Sequence, residues 1–494
     1  MKFPVLFTGL LFLQLPTVFS AETFSLNEKS LAEISLTEAP QWESIEAAFL
    51  EAKSESEQLH DRFRPEIFGD LQTAETKEKA IIQFQPIWSP QQNAQLGVRQ
   101  NFRGGVGLSA GVGADRRNAS TVSGRFKEVS TSTVRLDLQV DLWKDLFGRL
   151  SKAQSNAADF LQKRAEIERN VQRKAFQLSL RRTYWSLVAN NEQIKVYEGL
   201  KKISLEQLAD ATRRKNAGVA DLGEVARYEA QVASREGSRL YYMYQREILL
   251  KQLKNLLPSL MAKDVVLTEY DVPKMIQTVL ACTATIASNN SVPYDYTQYD
   301  EITALLRQNQ KEQSKLASSY DDVDLKFIGS VKTTGVASKD KGNGLVEGSI
   351  NDAFDDWQEN DRTGYSAGLQ LVIPIGKGDT RQTQELLAEK RFSAQIKQND
   401  TDIISTHQQL VKVIGLLTDV VRSQKQNTLA LEKRLQVQNR KFREARVSAN
   451  DLILDQDALL NSNLTTISTQ LEIINTIFDY LVVFTETPCE FNRI

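Results

Sequence analysis

The chain has 494 residues, 41% of them apolar and 25% charged, with a formal net charge of −2. That balance suits a large folded protein, excludes a disordered chain, and offers no basic surplus for a nucleic-acid partner. Two histidines, His60 and His407, and two cysteines, Cys282 and Cys489, leave little material for metal or acid–base chemistry. No cofactor, no metal site and no enzyme activity are therefore expected.

Lys2 precedes a short apolar run from Phe3 to Leu15, and Val18-Phe19-Ser20 stands before Ala21. This pattern predicts a secretory signal peptide over 1–20, cut after Ser20. The alternative, a membrane anchor, is disfavoured because the run is short for a span, and no other segment has about 18 continuous apolar residues. The mature chain is expected to be exported and to open with an N-terminal segment over 21–40.

Proline is absent between Pro90 and Pro258, and again between Pro374 and Pro488. Both blocks can therefore hold very long helices, because proline breaks a helix interior. Ahead of the first helix, Val106, Leu108, Ala110 and Val112 alternate with small residues, predicting a strand over about 105–113. Val134, Leu136, Leu138, Val140 and Leu142 alternate with Arg135, Asp137, Gln139 and Asp141, predicting a second over about 134–142. Each is about the length a tilted strand needs to cross a bilayer. The competing reading is a water-soluble antiparallel sheet with one buried face.

From Leu150 to Asn216 the pattern becomes helical. Leu150, Ala157, Val171, Leu178 and Trp185 share one heptad register, and Ala158, Leu161, Ala165, Phe176, Leu180 and Leu187 form a second stripe. Two stripes predict a helix packed on two sides. At about 1.5 Å per residue it would run roughly 100 Å. The small-residue break at Ala217-Gly218-Val219, followed by Asp221 and Glu224, then reads as a hairpin tip over 217–221. Gly218 supplies the φ freedom, and an N-cap acid with a second acid three residues on starts the return helix. Repeat 1 thus spans 41–258, and a connector with Pro273, Pro293 and Cys282 covers 259–296.

Repeat 2, 297–487, has the same order. Strands are predicted over about 323–332 and 365–373, separated by a long loop rich in Gly, Asp and Asn. A second long helix leads to a tip over 444–448. Leu460, Leu464, Ile467, Leu471, Ile474, Phe478 and Leu481 then alternate by four and three, a coiled-coil-like seam. Aligning Gly218 with Ala445 puts Asp221 on Ser448 and Glu224 on Asp451, so both tips read cap, two residues, acid. Residues 488–494 form a tail with Cys489, which export would allow to pair with Cys282.

The tips RRKNAGVADLGEVARYEAQ and KFREARVSANDLILDQDALL, the segment YWSLVA (Tyr184–Ala189) and the duplicated order resemble the TolC-type outer-membrane efflux and secretion channels over about 41–487. The second tip departs from the family's frequent glycine at Ala445. The resemblance implies a mainly α fold with membrane β, made of two tandem repeats of strand, strand, long helix, turn, long helix. It also implies a homotrimer in the bacterial outer membrane, whose 12-stranded β-barrel continues as a periplasmic α-helical barrel. Its partners would be a periplasmic adaptor, an inner-membrane transporter and outer-membrane lipid, and its task export of small molecules or proteins in a tripartite pump or type I secretion system. Independently of the resemblance, four strands cannot close a barrel and open edges are not viable in lipid, so chains that span must associate.

Acids that narrow the tunnel of the family fall on Asp451. The next acid of the pattern meets Leu454, with Asp455 the nearest candidate, on the same helix face as Asp451. For Asp451 a helix-cap role stands beside the gate role, and for Asp455 a solvated helix face stands beside it. Phe442 matches a tip aromatic. Ala217, Gly218, Val219 and Asp221 are candidates for adaptor contact, with Glu224 and Ser448 as caps. Two other classes remain open: a soluble periplasmic coiled-coil adaptor without lipid-facing strands, and an exported serine hydrolase. The latter would use Gly107-Leu108-Ser109-Ala110-Gly111 with Ser109 as nucleophile and His407 as base. That motif needs a helix after its turn, and the alternation here continues instead through Gly113.

Overall fold

Period-two alternation builds strands at all four expected places, and helical periodicity builds both long hairpins. The computed structural model describes residues 23–77, 87–119, 126–219, 221–287, 297–319, 322–337, 339–340, 346–360, 362–375, 380–444 and 446–484. The expected signal peptide, Ala445 and Cys489 lie outside these residues. In chain order the elements begin with β1 (Thr23–Leu26), α1 (Glu28–Glu38) and α2 (Pro40–Asp61). Then come β2 (Glu66–Ala74), β3 (Trp88–Phe102), β4 (Val106–Ala119) and β5 (Phe126–Asp141). The first hairpin is α3 (Arg149–Asn216) with α4 (Leu222–Leu256), followed by β6 (Asp264–Leu267) and α5 (Val272–Ala287). The second repeat holds α6 (Tyr299–Ser318), β7 (Asp324–Ala337), the two-residue strands β8 (Lys339–Asp340) and β9 (Val346–Glu347), α7 (Ile350–Glu359) and β10 (Thr363–Val372). It ends with α8 (Thr380–Arg443) and α9 (Ala449–Val483).

Two compact units result. The sheet unit comprises Glu46–Asn170 and Tyr299–Asp402, and the helical unit the described residues up to Ile45, Val171–Gln298 and those from Ile403. In the sheet unit the strands follow one antiparallel path, β10-β7-β5-β4-β3-β2, with β8 and β9 off it. The path carries six strands where the resemblance implied four. The extra pair is the β2–β3 hairpin, joined to β4 by the Phe102–Val106 turn.

The registers line residues up in rows across all six strands. One row reads Ile67, Val98, Ala110, Leu136, Val331, Tyr365, and the next reads Glu66, Arg99, Ser109, Asp137, Ser330, Ser366. Because side chains alternate between faces, one face is apolar and the other polar. The apolar face is uncovered, with Ile67 79%, Val331 48% and Tyr365 89% exposed. The polar face carries charge of both signs, including Arg99 with Glu66 at 2.8 Å and Arg135 with Asp137 at 2.6 Å. The Gly- and Asp-rich loop between β7 and β10 is held by Ser130 and Ser132, whose hydroxyls donate to Gly348 O at 2.8 Å and Ala353 O at 2.7 Å.

The strand-to-helix elbow after β5 depends on Asp145, whose carboxylate accepts from the backbone N–H of Leu150 at 2.7 Å and of Ser151 at 3.0 Å. That satisfies free donors at the start of α3. Gly148 sits there at φ +76° with its Cα against Arg103 O, where a Cβ would overlap the carbonyl. In the helical unit Leu180, Tyr184 and Leu187 of α3, Leu253 of α4, and Ile477 and Phe478 of α9 are all at most 1% exposed. Both predicted stripes of α3 are buried or half-buried, as a helix with neighbours on two sides requires. On α9 the seam is fully buried at Leu460, Ile474, Phe478 and Leu481 and half-buried between. β1 and β6 form a separate parallel pair.

Candidate functional site: the two hairpin tips

Both helix reversals belong to the helical unit. At the first, the N–H of Val219 donates to Arg214 O at 2.9 Å and that of Gly218 to Lys215 O at 3.0 Å. This is a Schellman closure, and it needs the left-handed φ of +73° that Gly218 adopts. Ala217 and Val219 are exposed, Val219 at 75%. Asp221 then caps α4, its carboxylate accepting from the Glu224 N–H at 2.7 Å. Glu224 does not return that bond. Its carboxylate pairs with Arg214 of the preceding helix, and the same guanidinium lies 4.9 Å from the centre of the Phe442 ring.

At the second tip the Arg446 N–H donates to Lys441 O at 2.9 Å, the same six-to-one bond. Ser448 and Asp451 form a complete capping box: the Asp451 N–H donates to Ser448 Oγ at 3.2 Å, and the Ser448 N–H to Asp451 Oδ2 at 3.2 Å. The Ser448 hydroxyl also donates to that carboxylate at 2.7 Å. These hydrogen bonds favour the charged form and hold the Asp451 carboxyl below the usual aspartate value.

One apolar cluster joins the tips: Ala211, Val225 and Tyr228 of the first hairpin with Ala449 of the second, with Leu208, Phe442 and Ile453 packed against it. Phe442, expected as a tip aromatic, is thus half-buried between the hairpins. Beyond the cluster the contact between α4 and α9 turns polar. Buried Gln231 donates to buried Gln456 at 2.9 Å, and Arg235 pairs with Asp457. The Tyr228 hydroxyl has no hydrogen-bond partner among the described residues, and burial pushes its pKa up to about 12.

Asp455 differs from the solvated-face reading. It is 3% exposed, with one oxygen held by Arg434 at 2.6 Å and the other without a hydrogen-bond partner. Arg434 reaches it from α8, a contact no spacing within α9 reveals. Leu454 is exposed instead, at 56%. Arg214 and Arg434 are the ion-pair partners of Glu224 and Asp455 that sequence reading missed. Folding the first hairpin about Gly218 brings Arg214 opposite Glu224, so that partner had a signal. Cys282 is buried on α5 and is not a free thiol. Its expected partner lies outside the described residues.

The hydrolase residues are engaged elsewhere. Ser109 donates to Asp137 at 3.3 Å on the polar sheet face, and His407 packs against Tyr480 and Phe484. A second Ser-His-Asp grouping exists in the sheet unit: His60 Nε2 lies 2.6 Å from Asp159, and its Nδ1 lies 3.1 Å from Ser155 Oγ. Arg103 also contacts Nδ1, at 2.8 Å. Arginine only donates, so Nδ1 is already an occupied acceptor and the proton sits on Nε2. Among the described residues no cluster of potential ligands could hold a metal ion, and no helix is long and apolar enough to cross a membrane.

No family model and no curated protein matches the sequence. Solved structures do match. The outer membrane protein VceC of Vibrio cholerae aligns over 92% of this chain and 95% of its own, with TM-score 0.62 and 14% identity. CusC, whose structures concern folding and transmembrane channel formation, aligns over 93% of each chain, with TM-score 0.64 and 13% identity. The CmeC outer membrane channel of Campylobacter jejuni aligns over 94% and 89%, with TM-score 0.61 and 14% identity. The chain therefore has the fold of these channels, the TolC-type fold that its tips and its duplication imply.

Proposed function

We propose that this chain is the outer-membrane channel of an export system, working as a homotrimer in the bacterial outer membrane with its helices in the periplasm. The observation that carries the reading is the pair of adjacent rows, one wholly apolar and exposed, the other wholly polar, running through every strand of the path. Such alternation suits a wall with lipid on one side and water on the other. The solved structures of like fold support it, since those of VceC, CmeC and OprN are outer-membrane proteins or channels by name.

On this reading the chain passes small molecules or proteins outward as the outer component of a tripartite pump or type I secretion system. A periplasmic adaptor meets the exposed tip residues Ala217, Val219 and Asp221, and an inner-membrane transporter selects cargo. Asp451, exposed at the end of its hairpin, is the gate acid. Three copies brought together would attract cations. Asp455 is a buried support for α9 through Arg434.

Fractionation and planar-bilayer recording test the reading. The protein is expected to stay with outer membranes through a salt wash, to need detergent for release, and to conduct when reconstituted. Release by salt alone, without conductance, would favour the soluble adaptor and end the channel reading.

A further inference from the structure

The polar face of the sheet pairs most of its cations with acids: Arg99 with Glu66 at 2.8 Å, Arg117 with Asp115 at 2.6 Å and Lys326 with Asp324 at 2.9 Å. Lys332 is an exception. It is exposed, has no ion-pair partner among the described residues, and stands directly opposite another cation, Arg135. We propose that Arg135 and Lys332 form an anion cup that takes a phosphate group. Its place in a transit path rests on the channel reading above, which sets the polar face against water.

Charge is the first support. Like charges directly opposite on neighbouring strands, with Cβ atoms about 5 Å apart, destabilise a sheet unless an anion lies between them. The acid beside the pair, Asp137, is already taken, since Arg135 Nε donates to it at 2.6 Å and the Ser109 hydroxyl at 3.3 Å. The Nη groups of Arg135 make no hydrogen bond among the described residues. A guanidinium and an ammonium with open donors, side by side, suit a doubly charged oxyanion. Room is the second support. The row through the pair reads Gly97, Gly111, Arg135, Lys332, Gly364, so bare backbone flanks the cations on both sides. A concavity of about 210 Å³ opens there, with Gly111 and Gly113 in its lining. A Cβ added at Gly111 would stand 3.5 Å from Gln95 Nε2, so the Gln95 amide leans over that glycine. The neighbouring row is the third support. It sets Gln95 and Thr133 on either side of Gly113, on the same face, as neutral donors for further oxygens. Asp115 also lines the concavity, but Arg117 holds it and Gln91 Nε2 donates to it at 3.0 Å. The lining thus carries three cations, Arg117, Arg135 and Lys332, against that one acid.

Two measurements on the full chain test the cup. The detergent-solubilised protein is titrated calorimetrically with inorganic phosphate and with glycerol phosphate. Planar-bilayer currents are recorded in chloride before and after addition of phosphate at constant ionic strength, which separates binding from screening. The natural chain is expected to bind phosphate and to lose current when it is added. Lys332→Gln should weaken the affinity about tenfold, because a charge-assisted hydrogen bond is lost, and Lys332→Arg should retain it. Lys332→Glu sets an acid opposite Arg135 and should abolish binding without lowering the melting temperature. Arg99→Gln removes a paired cation from the same face and should leave binding unchanged. Binding of the ester as well as the ion would mark phosphorylated solutes as ligands, and binding of the ion alone would mark free phosphate. A chain that conducts but binds neither probe, or whose Lys332→Glu form binds phosphate as the natural chain does, would overturn the cup and leave the channel standing. Binding without conduction would uphold the cup and end the channel reading. Neither binding nor conduction would overturn both.

Discussion

The two tips solve one problem, reversing a long helix, with the same cap spacing and different bonds. At the first, the acid three residues after the cap is a glutamate, long enough to reach back to Arg214 and close the hairpin upon itself. At the second it is an aspartate, which turns onto Ser448 and stays exposed. Aligned positions therefore carry unlike duties: Glu224 is neutralised within its own hairpin, whereas the Asp451 charge faces outward. One methylene and the position of an arginine make that difference, and it leaves Asp451 as the exposed acid of the two.

Substitutions can break this comparison, beginning with what the tips share. Tyr228→Ala empties a fully buried site in the joint cluster and should cost about 3–5 kcal/mol. Faster amide exchange at both tips would report it. Tyr228→Phe removes only a hydroxyl that has no partner and should be close to neutral. Gly218→Ala must hold an alanine at positive φ and should cost about 1–2 kcal/mol. Only the first tip should fray, as read by limited proteolysis. Ser448→Ala removes the hydroxyl that accepts from the Asp451 N–H, while the backbone N–H of residue 448 can still donate to the Asp451 carboxylate, and should cost about 1 kcal/mol, roughly a fivefold rise in exchange of the Asp451 amide.

The remaining effects concern charge. Asp451→Asn should lower cation preference in bilayer conductance while Glu224→Gln leaves it unchanged, and equal responses would erase the distinction between the tips. Acid should loosen the second tip as well. The folded pKa of Asp451 is depressed, so its contribution is present above the unfolded value of about 3.9 and is lost as pH falls through the lower folded value. Proteolysis of the second tip should therefore accelerate only in that acidic range.

What the sequence disclosed follows from where each signal resides. The tips were legible because a left-handed glycine and a cap acid are local requirements. Strands β4, β5, β7 and β10 were legible because apolar side chains, many of them valine or leucine, recur at alternate positions. The β2–β3 hairpin was not, because Gln91, Gln92, Asn93 and Gln95 blur the alternation in β3, and β2 offers only Ile67 and Leu71 as large aliphatic residues on its apolar face. The burial of Asp455 was illegible for another reason: its partner Arg434 comes from a different helix, and only tertiary packing brings them together.

The paired rows also govern how the sheet can be assembled wrongly. Side chains alternate with a period of two, so a slip of one residue at any strand boundary exchanges the rows beyond it. If the sheet spans a membrane as proposed, such a slip would turn residues such as Arg99 and Asp137 toward the hydrocarbon and set Leu136 or Val331 against water. Charged side chains at a bilayer midplane cost up to about 2–4 kcal/mol each. On that reading a misregistered sheet would fail to enter the membrane, and insertion itself would proofread the fold.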